Sequence, residues 1–305
     1  MNRILVLVPA EDRAGRAISL AGHVAERTGA AVTLLRVLEE NLGPAASAEV
    51  CQQQTKIRNL LLDVETEQLE SMARELREQV TDVTAHVCWG VPWEVTLREA
   101  SGGDFDLIVK PASGLNHHGR VFFGSTALHL FRRAPCPVWV VGNEGVLPSR
   151  ILAAVDPTGS PGRQQAARRI VDHALAVAEL SDAEVHLATA WHAIGSEMLS
   201  ETLEEEEWKT YRLETEQVSR ECLDRLAGTL GEAVASDAVH LIEGEAREAL
   251  PRFADEQDFD LIVMGTLSRP GEVGDLLGET AETVLRGVHS SVMTIPPAAI
   301  EGEDE

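Results

Sequence analysis

The sequence predicts two tandem α/β domains, each a five-stranded, doubly wound parallel sheet of nucleotide-binding type. Three observations carry that reading. The chain is written twice, each copy alternates short β-rich runs with long amphipathic stretches, and a short turn-forming segment joins the copies.

The repeat comes first because it fixes the domain count. Arg3-Ile-Leu-Val-Leu-Val matches Arg150-Ile-Leu-Ala-Ala-Val, 147 positions on. Later blocks match at an offset of 154: Gly90-Val-Pro-Trp-Glu with Gly244-Glu-Ala-Arg-Glu, Phe105-Asp-Leu-Ile-Val with Phe259-Asp-Leu-Ile-Val, and Gly124-Ser-Thr-Ala with Gly278-Glu-Thr-Ala. A net seven extra residues in the middle of the second copy account for the shift. At 305 residues, two cores of ordinary size fit.

Apolar runs rich in Val, Ile and Leu place strands at 3–8, 31–37, 83–88, 106–110 and 137–141 in copy one. In copy two they fall at 150–155, 184–190, 238–242, 260–264 and 291–295. Helices fill the gaps. Residues 14–28 and 162–180 carry apolar residues at helical spacing. Residues 49–79 and 201–230 form longer, Glu/Gln/Arg-rich helices, the first with the stripe Leu61, Val64, Leu69, Met72 and Leu76. Domain one is expected over 1–145, domain two over 149–297, and residues 298–305 form an acidic, frayed tail. The joint contains Gly142-Asn-Glu-Gly-Val-Leu-Pro-Ser149, rich in turn formers.

Composition excludes several function classes. A net charge of −24, with 50 acidic against 26 basic residues, repels nucleic acid and anionic lipid. Only three basic residues are lysine, Lys56, Lys110 and Lys209, which fits either a salty cytoplasm or an arginine bias of the genome. No apolar run approaches the roughly 20 residues that span a bilayer, and the first run passes straight into charge, so it reads as a strand. Four scattered cysteines, Cys51, Cys88, Cys136 and Cys222, have neither disulfide nor metal spacing, and the expected compartment is a reducing cytoplasm.

In doubly wound sheets ligands bind beyond the carboxyl ends of the strands, where strand order reverses. The positions to inspect are Pro9, Val37 and Pro111 onward in copy one, and Asp156, Ala190 and Gly265 onward in copy two. The stretch GTLSRPGEVGDLLGET (265–280) runs into a helix like a phosphate loop, yet Glu279 places a carboxylate where an anion would sit. A helix-stabilising role in the first turn and a role selecting against phosphate, or towards a sugar hydroxyl, are both open.

At these residues the chain resembles the universal stress protein family in its tandem, two-domain form. Nucleotide-binding members carry an Asp after strand one and G-2x-G-9x-G-(S/T) after strand four. The flanking strands anchor the spacing: DLIVMG and HSSVMTI in copy two, DLIVKP and CPVWVV in copy one. The resemblance covers nearly the whole chain and implies a cytoplasmic, non-enzymatic stress-response protein. It places Asp156 at the adenine and ribose side of a nucleotide and Ala190 against the base. Gly265 and Gly278 match the first and last glycines, Ser268 replaces the middle one, and Glu279, followed by Thr280, replaces the hydroxyl residue.

Copy one is the complement. Pro9 replaces the Asp and Pro111 the first glycine, whereas Gly114, Gly124 and Ser125, followed by Thr126, keep the remnant of a phosphate loop. Proline has no N–H to offer and fixes φ, so copy one loses its closest backbone donor. Domain two is expected to keep a degenerate cleft for a small molecule, ATP or another, with weak or no triphosphate binding. Like charges about 4 Å apart cost roughly 1 kcal/mol in water and several times more in a shielded cleft.

Two other functions remain open: a nucleotide sensor with slow ATP hydrolysis in copy two, and an interaction scaffold using the acidic run Glu204–Glu207. Trp208 and Tyr211 follow that run as candidate lid residues; Asp156 serves either a ligand or its own loop. His117 and His118 read as an exposed polar loop tip, since no Cys or carboxylate stands at ligand spacing. No GxSxG elbow, HExxH or Walker lysine points to an enzyme. The resemblance further implies that the apolar last strands, 137–141 and 291–295, pair in an internal pseudo-dimer, with a homodimer as a further option.

Overall fold

A computed structural model describes residues 1–10, 14–39, 48–115, 120–142, 147–193, 204–266 and 278–297, the side chains of 48–51, 279, 280, 286 and 287 excepted. Among them no helix is long and apolar enough to cross a membrane. The chain forms two compact units.

The first unit, Met1–Ser113 with Gly124–Val141, holds strands β1 (Arg3–Leu7), β2 (Ala31–Leu38), β3 (Val83–Trp89), β4 (Leu107–Pro111) and β7 (Val138–Val141). They are parallel in the order β7-β4-β1-β2-β3, so strand order reverses beside β1. Helices α1 (Gly15–Thr28), α2 (Ala48–Leu76), α3 (Pro92–Gly102) and α4 (Gly124–Arg133) make the connections. Ile4, Leu5, Val6, Leu107, Ile108 and Val109 are all inaccessible to solvent. Continuous burial of successive residues is what a sheet covered on both faces requires.

The second unit, Gly142–Glu305 with Gly114–Phe123, holds β8 (Arg150–Ala154), β9 (Glu184–Trp191), β10 (Val239–Glu243), β11 (Leu261–Gly265) and β12 (Ser291–Ile295). Their order is β10-β9-β8-β11-β12, again all parallel. Helices α5 (Pro161–Ser181), α6 (Glu205–Gly228), α7 (Ala246–Glu256) and α8 (Glu279–Gly287) complete it. A hairpin, β5 (Gly114–Leu115) with β6 (Val121–Phe122), belongs to this unit although its sequence lies in the first repeat. The Val121 N–H donates to the Val288 carbonyl at 3.0 Å, and Val121 and Phe123 are buried. Sequence reading placed the division near 145; by contacts it also passes around this hairpin.

The residues repeated between the copies brace the foot of each sheet. Asp106 accepts the N–H groups of Asn2 and Arg3, the latter at 3.0 Å. Asp260 accepts the N–H groups of Ser149 at 2.8 Å and Arg150 at 2.9 Å. Each arginine lies over the phenylalanine before that Asp, Arg3 at 4.8 Å from the Phe105 ring and Arg150 at 5.0 Å from Phe259. The shared Phe-Asp-Leu-Ile-Val block is therefore structural, at the opposite end of the strands from the expected ligand edge.

Candidate functional site

Three strands of the second unit bring the expected copy-two residues to one edge. β8 lies between β9 and β11, with Ala154 in register with Ala188 on one side and Met264 on the other. One or two residues further along each chain stand Asp156, Ala190 and Gly265. Gly278 joins them because its N–H donates to the Thr266 carbonyl at 3.0 Å, closing the base of the loop that leaves β11. α8 starts at the next residue, so the backbone of Glu279 and Thr280 forms its first turn. Ser268 lies outside the described residues.

Asp156 is engaged locally. Its Oδ1 accepts the Thr158 N–H at 3.1 Å and also the Thr158 hydroxyl, an Asx turn that shapes the exit from β8. Its Oδ2 accepts Arg163 Nη1 at 2.8 Å. Arg163 sits in the first turn of α5, which has no acidic residue of its own, so the carboxylate offsets a cation at the positive helix end. The side chains are 53% and 31% exposed, and such a pair is worth little, about 0–1 kcal/mol. Sequence reading missed Arg163; its place seven residues after Asp156, just inside a Pro-initiated helix, was the available signal.

Gly265 has room. Among the described residues, a methyl group added there would meet only Ile170 Cδ1, at 3.5 Å, an ordinary contact. Its neighbour Thr266 is buried, Ala190 is half-buried, and Thr189 donates its hydroxyl to the Val155 carbonyl at 3.0 Å, fixing β9 to the end of β8. A cavity of about 240 Å³ opens beside the Asp156 loop, lined by Pro157, Gln164, Arg168, Cys222, Leu226 and Thr229 among others. A second, of about 370 Å³, lies elsewhere in this unit between the hairpin residue Arg120 and α7.

The copy-one residues are arranged differently. Pro9 is half-buried, and Pro111 is buried as the last residue of β4, in register with Val141. Gly114 pairs with Phe122 in the hairpin of the second unit, whereas Gly124, Ser125 and Thr126 open α4 in the first. Gly124 has φ +76°, and a Cβ there would fall 2.3 Å from Ser113 Oγ, so this glycine is required by the fold itself. His117 and His118 lie outside the described residues. Lys110, which replaces Met264 of the other copy, is buried at the end of β4 and donates to the Pro111 carbonyl at 2.6 Å. Burial pulls its ammonium down to about 8. A lysine inside an otherwise apolar strand was the sequence signal for it.

The acidic run has a local use. Glu204 caps α6, and its own N–H donates to Glu207 Oε2 at 3.3 Å, a reciprocal capping box. Trp208 and Tyr211 pack ring against ring at 5.9 Å. Burial pushes the Cys136 thiol up to about 12 and raises Cys88 as well, which leaves neither as a thiolate near neutral pH. Among the described residues no three His, Cys, Asp or Glu are placed to share a metal ion.

Comparison with known proteins agrees with this fold. The pattern of the Universal stress protein family matches residues 1–142 and again 148–296. Universal stress protein E of Salmonella typhi is 26% identical over 264 residues, 83% of this chain and 82% of that protein. The Universal stress protein E homolog of Haemophilus influenzae is 22% identical over 304 residues, 97% of each. Among solved structures, a universal stress protein from Pseudomonas aeruginosa UCBPP-PA14 superposes with a TM-score of 0.72 at 26% identity, covering 97% of this chain and 94% of that one. Another from Archaeoglobus fulgidus shares the fold at a TM-score of 0.63 and 16% identity, over 100% of this chain and 98% of the other.

Proposed function

The chain belongs to the universal stress protein family, and from that premise we propose that it is a non-enzymatic stress-response protein of the cytoplasm whose second unit keeps a small-molecule cleft released from triphosphate. The observation that carries the reading is the convergence of Asp156, Ala190, Gly265 and Gly278 on the carboxyl edge of β8, β9 and β11, with a carboxylate residue, Glu279, opening α8. Asp156 and Arg163 offer a hydroxyl-bearing ligand both an acceptor and a donor. Gly265 leaves space for a ring to approach the backbone. A negative residue at the start of α8 cancels much of the attraction a helix N-terminus holds for phosphate.

The first unit is assigned a structural role. Pro9 and Pro111 remove an acceptor and a backbone donor from its edge, and its loop sequence is spent on the hairpin of the second unit.

Isothermal titration of the full chain with ATP and with adenosine tests this. Weak or unmeasurable ATP binding is expected, and Glu279→Ser should strengthen ATP binding about tenfold or more while leaving adenosine unchanged. Micromolar ATP affinity in the unaltered chain, or ATP bound by both units, would overturn the reading. Mass spectrometry of what co-purifies with the native protein identifies the ligand class.

A further inference from the structure

On α2, four large apolar residues are exposed: Ile57 at 43%, Leu60 at 63%, Leu61 at 42% and Val64 at 44%. Their spacings of three, four and seven place them on one stripe of the helix. The side chains at 54, 58, 62, 65 and 69 centre on a direction roughly 110° round the helix from that stripe and are half-buried or buried. The stripe is therefore additional to the face that holds α2 on the sheet. The counterpart helix of the other unit, α6, lacks it: its exposed Leu213 and Val218 are five residues apart and do not share a face.

Charges beside the stripe identify its occupant. Lys56 and Asp63, both exposed, border the same side of it and are seven residues apart, about 10 Å along the axis. Glu67 continues the acidic end. A second α2 running antiparallel across Leu60 brings Lys56 of one copy opposite Asp63 of the partner subunit, and by symmetry the reverse. The pattern is self-complementary, as a two-fold contact requires.

We infer that the Ile57–Val64 stripe of α2 is a homodimer surface, with two copies packing antiparallel along it and Lys56 paired with the partner's Asp63. The inference is independent of the ligand cleft. Four partly exposed side chains bury less than the roughly 800 Å² per partner of a standard interface, so the dimer is concentration-dependent.

Sedimentation equilibrium from about 1 µM to 1 mM follows the 33.0 kDa chain. Wild type is expected to pass from monomer to dimer across that range, and Leu60→Asp to stay monomeric with an unchanged circular dichroism spectrum. Lys56→Glu alone and Asp63→Lys alone should each weaken association about tenfold or more, because each opposes like charges twice. An equimolar mixture of the two variants should recover wild-type affinity within about threefold, since each then meets its complement. A wild-type monomer throughout, open-ended assembly, association insensitive to Leu60→Asp, or a mixture no tighter than its components would each overturn the inference.

Discussion

His186 Nδ1 and His240 Nε2 lie 2.9 Å apart on neighbouring strands of the second unit, with the ring planes inclined by only 10° and centroids separated by 5.2 Å. A ring nitrogen is about 1.1 Å from its centroid, so the 2.9 Å contact accounts for nearly the whole separation. The rings are edge to edge and share one proton in line. Phe253 and Phe259 pack against them, Glu184 and Asp237 favour the charged form, and Arg150 opposes it.

Burial lowers both imidazoles below their ordinary 6.5, helped in each case by Arg150 and, for His240, by His186. The folded state thus prefers them neutral. Stability from the pair is present above about pH 6.5 and is lost as pH falls through the lower folded-state values. Calorimetry from pH 7.5 to 5 should show a falling melting temperature, and His186→Leu with His240→Phe should flatten that slope. An equal slope in the double variant would remove the pair as its cause.

Arg36 is the one fully buried arginine among the described residues, held by Glu65 and, at 3.2 Å, by Gln68 of α2. Glu65→Ala leaves its charge uncompensated and should cost about 3–5 kcal/mol, whereas replacing both partners, Arg36→Met with Glu65→Leu, should be close to neutral. Urea unfolding separates the two, and an equal loss would mean that packing rather than charge dominates.

Asp260 binds Ser149 through N–H and hydroxyl and Arg150 through N–H. Asp260→Ala should cost about 1–3 kcal/mol, and Asp106→Ala a similar amount, with Asn recovering part of each because one acceptor oxygen remains. Chemical denaturation reads the difference.

Two glycines of equivalent motifs should respond oppositely. Gly124→Ala meets a left-handed φ and Ser113 Oγ at 2.3 Å, and should lose more than about 1 kcal/mol. Gly265→Ala meets nothing closer than 3.5 Å among the described residues and should leave melting unchanged while weakening ligand capture in the second unit. Destabilisation by Gly265→Ala would make that glycine structural too.

Much of this molecule was legible beforehand. The Arg-Ile-Leu and Phe-Asp-Leu-Ile-Val repeats gave both sheets because strands buried on two faces need unbroken apolar runs, and the apolar spacing over 162–180 gave α5. The common edge of Asp156, Ala190 and Gly265 could be foreseen because parallel strands carry their ends to one side, and Gly278 followed from the resemblance. Arg163 and Lys110 were not foreseen: their positions left a signal, but the partner each side chain takes depends on rotamers and distances that spacing alone does not fix. Nor was the fate of Gly114–Phe123.

The sequence by itself determined the duplicated architecture, since periodicity and burial act along the chain. Tertiary structure alone decided that Asp156 is bound by Thr158 and Arg163, that Gly124 serves the fold while Gly265 meets no close contact among the described residues, and that a first-repeat hairpin completes the second unit. Those outcomes depend on which groups meet through space, where hydrogen bonds and steric contacts act within a few ångströms irrespective of separation along the chain.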